Sequence, residues 1–236
     1  MTRATLLCLA CLATALLNGC GGGATGVELQ STVRQLGPNS RWSYLVSGTV
    51  SDGSIIGPQR VSGTYSIQMT SETVTAPDLQ PAKVALVSGK LTGIAYSHII
   101  AERYYYRQQP DGTILLVGGQ AGSGNDYWFG EPEIDPYIVV QSPLSVGLNW
   151  VVDTKTTLGT TYDDYFTVDG TEKISVPAGG FQTYRVKSDG RAGGTAVIST
   201  YWWAPRIGNF VKWTRSTQSG GSTIETLTYK LASYSQ

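Results

Sequence analysis

After Arg41 the chain is built from short runs in which apolar and polar residues alternate, each run closed by a glycine, proline or aspartate turn signal. Trp42-Ser43-Tyr44-Leu45-Val46, Arg60 to Ile67 and Lys90 to Tyr96 show the pattern. A period of two sends successive side chains to opposite faces, so each run reads as a half-buried strand. Ser51-Asp52-Gly53, Gly57-Pro58, Gln109-Pro110-Asp111-Gly112, Asp169-Gly170, Asp189-Gly190 and Ser219-Gly220-Gly221 supply the positive φ or fixed proline φ of tight turns. About twelve strands at roughly ten-residue spacing, with no helical period beyond two turns, predict an all-β class. The expected architecture is an antiparallel meandering sheet, a curved half-barrel or a sandwich, with very little helix.

The N-terminus is of another kind. Met1-Thr2-Arg3 is a basic start, and Ala4 to Leu17 is an uncharged apolar run, too short to span a bilayer comfortably and suited to the core of a signal peptide. The run ends Leu17-Asn18-Gly19-Cys20. This resembles the lipobox of bacterial lipoproteins, although Asn18 stands where a small or aliphatic residue is usual. The resemblance implies a signal peptide over residues 1–19 and Cys20 as the acylated mature N-terminus, palmitate among its chains. Each buried acyl methylene contributes roughly 0.8 kcal/mol, so two or three chains hold a protein on a membrane almost permanently. Gly21 and the absence of Asp directly after Cys20 look like the outer-membrane address of enterobacterial lipoproteins, which implies a periplasm-facing anchor.

With Cys8 and Cys11 in the discarded segment and Cys20 acylated, the folded part has no thiol for a disulfide, a thiolate metal site or a nucleophile. Residues 20–40, glycine-rich and then polar, read as a flexible tether, and residues 41–236 as a single β-rich domain. An irregular segment over residues 119–136 divides that domain into halves.

The C-terminal half holds Pro143-Leu144-Ser145-Val146-Gly147-Leu148-Asn149-Trp150, Val176-Pro177-Ala178-Gly179-Gly180-Phe181 and Tyr201-Trp202-Trp203-Ala204-Pro205-Arg206-Ile207-Gly208. It resembles a group of uncharacterised bacterial periplasmic proteins and lipoproteins that carry these motifs in the same order, with Thr in place of Gly180 and Gly in place of Arg206. That group resembles in turn the Lol lipoprotein carriers, whose curved antiparallel sheet holds an apolar ligand on its concave face. The resemblance implies a candidate ligand face of Trp150, Phe166, Phe181, Trp202 and Phe210. The residues also have a purely structural reading. Pro177 to Gly180 form a hairpin tip with Phe181 as buried anchor, and Tyr201 and Trp203 share one face while Trp202 takes the other.

Seventeen Lys and Arg balance seventeen Asp and Glu, which leaves no electrostatic footprint for nucleic acid. No cofactor is expected, and no protein partner can be named. His98 is the one imidazole and lacks a nucleophile-elbow sequence nearby. Glu131, Glu133 and Asp135, and the adjacent Asp163-Asp164, are carboxylates without EF-hand spacing and suit solvated loops better than calcium. Glu131 or Glu133 beside Trp128 and Phe129 is the best local start for a glycosidase pair, with no partner identifiable from sequence. The leading expectation is therefore a non-enzymatic, lipid-anchored β protein that binds a hydrophobic ligand or serves as a structural component of the envelope. The alternative is a glycan-binding module using exposed rings at Tyr104, Tyr106, Tyr127 and Trp128.

Overall fold

The structure, a computed structural model, describes residues 29–51, 57–130 and 136–236. The signal peptide, Cys20, Glu131, Glu133 and Asp135 lie outside the described residues. Thirteen strands follow in chain order: β1 (Arg41–Val50), β2 (Gln59–Thr75), β3 (Pro81–Thr92), β4 (Ser97–Gln108), β5 (Ile114–Ala121), β6 (Asp126–Trp128), β7 (Tyr137–Val140), β8 (Asn149–Lys155), β9 (Thr161–Val176), β10 (Gly179–Ala192), β11 (Thr195–Ala204), β12 (Asn209–Ser219) and β13 (Ser222–Ser235). Among the described residues the single helical element is a 3-10 turn at Pro205–Ile207.

All pairings are antiparallel, in the order β6-β5-β4-β3-β2-β1-β13-β12-β11-β10-β9-β8, with β7 added to β5. The sheet is a meander whose first strand pairs with its last, Trp42 opposite Tyr234 and Val46 opposite Tyr229. It curls until its two edges touch at one bridge, Phe129 with Thr156, and the ladder is not continuous there. The all-β expectation holds, in the form of one strongly curved sheet.

Alternation decides which face is buried. Trp42, Tyr44 and Val46 on β1, Trp150 and Val152 on β8, Phe166 and Val168 on β9, and Leu227, Tyr229 and Leu231 on β13 turn inward at every second position. Together with residues of both halves they make one contiguous core. A smaller cluster of Ala82, Val84, Tyr105, Leu115 and Val117 lies on the other face of β3 to β5, against Val74 and Trp128.

Three local expectations are corrected. Asp169-Gly170 and Asp189-Gly190 are not turns; they lie inside β9 and β10, the first at a register shift opposite Arg185/Val186. Such a bulge bends a strand without ending it. Gly190 serves a close approach, since a Cβ there would sit 1.7 Å from Asp164 Oδ1. The irregular segment is partly regular, contributing the end of β5 and all of β6.

The third correction concerns residues 31–40, expected in the tether. Val33 and Leu36 are 1% and 6% exposed and belong to the core. Backbone bonds from Arg34 N to Pro205 O (2.9 Å) and from Leu144 N to Ser31 O (2.9 Å) fix the segment, as does Leu36 N to Gln108 Oε1 (2.7 Å). It crosses one open end of the curled sheet and covers apolar side chains that the strands cannot cover for each other.

Candidate functional site

At that closed end, the 3-10 turn sits beneath the N-terminal segment. Trp42 Nε1 donates to Ile207 O at 3.0 Å and Tyr44 Oη to Phe210 O at 2.9 Å, so the turn is held by strand β1. The left-handed residue that the turn requires is Gly208 (φ 65°), not position 206. Arg206 therefore fits without strain, and its side chain is exposed. The β9–β10 hairpin reaches the same end, with Ala178 N bonded to Leu231 O.

Between these elements lies a cleft of about 320 Å³ lined by Leu29 and Gln30 of the N-terminal segment, Lys173, Phe181 and Gln182 of the hairpin, and Ala204, Pro205 and Arg206 of the turn. Its walls are mainly apolar, and two cations stand at it. Neither Lys173 nor Arg206 takes part in an ion pair among the described residues. Ligand pockets fall in the range of about 300 to 1,000 Å³ and combine apolar walls with a few polar groups, which this cleft does at the small end of the range.

Of the five residues expected on a ligand face, only Phe181 lines this cleft. All five are buried, and they do not share one open surface. Trp150 stacks on Phe166 at 4.8 Å, filling the interior between β8 and β9. Phe210 packs on Tyr44 at 4.9 Å and edge-on to Trp203 at 6.0 Å. Trp202 points to the opposite face, where Lys212 Nζ lies 4.1 Å over its ring and Nε1 donates to Glu172 Oε2. The void beside Phe210, Trp42 and Leu36 measures about 50 Å³, room for little more than a water molecule. Their own side chains occupy the interior that an open carrier would leave to its ligand.

The four rings expected to stack sugars are also divided. Tyr104 and Tyr106 face inward with centroids 6.2 Å apart, and Tyr127 packs edge-on to Phe129. Trp128 lies on the outer face against Tyr105 at 5.1 Å. Tyr105 is buried beneath it and donates to Asp126 Oδ1, and burial followed by that carboxylate pushes its phenol up to about 12. Strand β6, which pairs with β5 and brings the Trp128 ring over Tyr105, is the element that the sequence pattern did not reveal.

Asp163 and Asp164 point to opposite faces, Asp163 exposed and Asp164 6% exposed. Asp164 Oδ2 accepts from Tyr137 Oη at 2.8 Å. Burial raises its carboxyl above the ordinary value; the Tyr137 bond works against that, and the neighbouring Asp163 and Asp189 add to it. His98 is exposed on β4 opposite Leu91. Among the described residues no three His, Cys, Asp or Glu side chains are grouped to hold a metal ion.

The cleft residues Lys173 and Gln182 were not singled out from sequence, because a polar or charged residue beside a turn is ordinary, and Arg206 stood out only for its place in a turn. Leu29 and Gln30 were hidden by the polar composition around them. The inward carboxylate carried a usable signal: Asp164 is in phase with Tyr162, Phe166 and Val168.

No family model matches the chain, and no curated protein matches it. Solved structures similar to it include an inferred exported protein with a YmcC-like fold from Bacteroides fragilis, at 11% identity and a TM-score of 0.43, covering 87% of this chain and 100% of the other. An inferred lipoprotein from Parabacteroides distasonis matches at 13% identity and a TM-score of 0.41, covering 87% and 99%.

Proposed function

We propose that the protein is a non-enzymatic β protein anchored through Cys20 in the bacterial outer membrane, facing the periplasm, and that it binds the apolar part of an anionic amphiphile in the cleft beside Phe181. The observation that carries this reading is the cleft itself, apolar along Leu29, Phe181, Ala204 and Pro205 and bordered by Lys173 and Arg206. Nine residues separate Leu29 from Cys20. Fully extended they reach about 30 Å, so an acylated Cys20 keeps this end of the sheet near the bilayer surface. Each ligand methylene withdrawn from water contributes about 0.8 kcal/mol, and the two cations select for a carboxylate or phosphate head.

The test is titration of the protein with cis-parinaric acid, a fluorescent fatty acid, followed by displacement with unlabelled palmitate. Saturable binding that falls about tenfold in the Lys173→Glu/Arg206→Glu double variant is expected, because a like charge replaces an attracting one. Binding unchanged by that double variant and by Phe181→Glu rejects the cleft as the site.

A further inference from the structure

The opposite end of the curled sheet, toward the tips of the β3–β4, β8–β9 and β10–β11 hairpins, has a different interior. Beside Leu and Val, the inward positions carry Tyr65 on β2, Glu102 on β4, Tyr162 and Asp164 on β9, Tyr201 on β11 and Arg215 on β12. The rings are joined through contacts across the interior: Tyr65 stands edge-on to Tyr229 at 5.4 Å, Tyr229 stacks on Trp213 at 4.4 Å, and Trp213 stacks on Tyr201 at 5.5 Å. On the other wall Tyr162 is edge-on to Tyr137 at 5.7 Å, and Tyr137 holds Asp164. Tyr65, Glu102, Tyr162, Tyr201 and Arg215 all keep partial solvent contact although protein surrounds them. These inward side chains are crowded and still reached by solvent at this end of the sheet.

The charges in this chamber do not balance. Arg215 is engaged by Glu225, through Nε at 2.8 Å and through Nη2 as well. Neither Glu102 nor Asp164 takes part in an ion pair among the described residues. Glu102 shares the inward face of β4 with Tyr104, whose hydroxyl hydrogen-bonds it, and burial raises the Tyr162 phenol, with the negative charges of Asp164 and Glu102 raising it further. Room for one of them is built in, because Gly190, opposite Asp164 in the β9–β10 ladder, leaves the space that Oδ1 occupies. A second polar group waits on the same wall. Thr154, 3% exposed and directly opposite Tyr162, has a buried Oγ1 with no hydrogen-bond partner. A buried hydroxyl left unpaired costs about 1 to 3 kcal/mol, a cost that a bound donor would remove.

We propose that this chamber, between Tyr65, Glu102, Tyr162, Asp164 and Tyr201, binds an organic cation that carries an ammonium group. Aromatic rings attract an ammonium through their electron-rich faces, and carboxylates without an ion-pair partner add charge attraction. A neutral sugar would use the rings and leave the two carboxylates uncompensated. The cleft at the far end plays no part in this binding, so the two sites can fail independently.

The experiment is calorimetric titration of the detergent-extracted full chain with choline and propylammonium, using 3,3-dimethylbutanol as the uncharged match to choline. Choline or propylammonium is expected to bind saturably, choline at least tenfold more tightly than its uncharged match. Asp164→Asn, which keeps shape and removes charge, should weaken binding about tenfold, and Glu102→Gln severalfold, while Asp163→Asn on the outer face stays within about twofold. Retained cis-parinaric acid binding in each variant confirms that it is folded. Equal affinity for the charged and uncharged ligands, equal effects of the Asp163 and Asp164 substitutions, or no saturable heat up to about 10 mM of either cation overturns the proposal.

Discussion

Leu36→Ala measures how far the fold extends toward the N-terminus. Leu36 is 6% exposed and lines a void of about 50 Å³ with Trp42, Ile67, Met69, Ile114 and Trp203. Truncating a buried leucine costs about 2 to 5 kcal/mol, the spread depending on how well the surroundings close over the gap. Here they close poorly, since large rings and a held 3-10 turn already leave a void of about 50 Å³ unfilled. The Leu36→Ala loss therefore belongs in the upper half of the range, about 3.5 to 5 kcal/mol. Val33→Ala, which removes two carbon atoms where Leu36→Ala removes three, should lose less. Urea unfolding followed by tryptophan fluorescence reads both as shifts in midpoint at constant slope. A flexible tether would show a loss below about 0.5 kcal/mol at both positions, as for surface substitutions. That result would refute the docking of residues 31–40.

Gly190→Ala puts a Cβ 1.7 Å from Asp164 Oδ1 and 2.6 Å from Asp163 O. It should cost about 2 kcal/mol, and pairing it with Asp164→Ala should recover part of that in a double-mutant cycle by urea unfolding. Asp164 titrates above its ordinary 3.8 because it is buried, so between that value and its raised folded one the native state holds more protons than the unfolded chain. Stability then falls as pH rises through that window. Melting temperatures across the window should show this fall in the native protein and its loss in Asp164→Asn. Trp128→Ala uncovers Tyr105 and the small outer cluster, and a loss of about 2 to 3 kcal/mol by denaturant titration is expected for an aromatic that is half-buried rather than fully buried.

Strand alternation was legible because it is local. Trp42, Tyr44 and Val46, the split of Trp202 from Tyr201 and Trp203, and Phe181 as the anchor of the β9–β10 hairpin all follow from a period of two and one turn motif. Features set by distant partners were not legible. Asp189-Gly190 carries a turn dipeptide, yet its glycine answers a carboxylate about 26 residues earlier in the chain, a pairing that exists only once β9 and β10 are in register. Val33 and Leu36 are isolated apolar residues in a polar stretch, and nothing nearby says that the open end of a curled sheet awaits them. Of the five aromatic residues expected on one ligand face, Trp202 turns to the other face, and the curl of the sheet, which no single strand encodes, packs Trp150, Phe166 and Phe210 among their own neighbours. The cleft forms where four separate segments meet, so only Phe181 among its residues was within reach of the sequence.

The most direct measurement is photo-crosslinking of the full chain with a palmitate analogue carrying a diazirine at its terminal carbon, followed by peptide mapping. The account predicts labelling on the peptides that contain Phe181 and Pro205, abolished by excess palmitate and reduced in the Lys173→Glu/Arg206→Glu variant. Labelling spread over the outer sheet face, or labelling of those peptides that palmitate does not compete away, would contradict it.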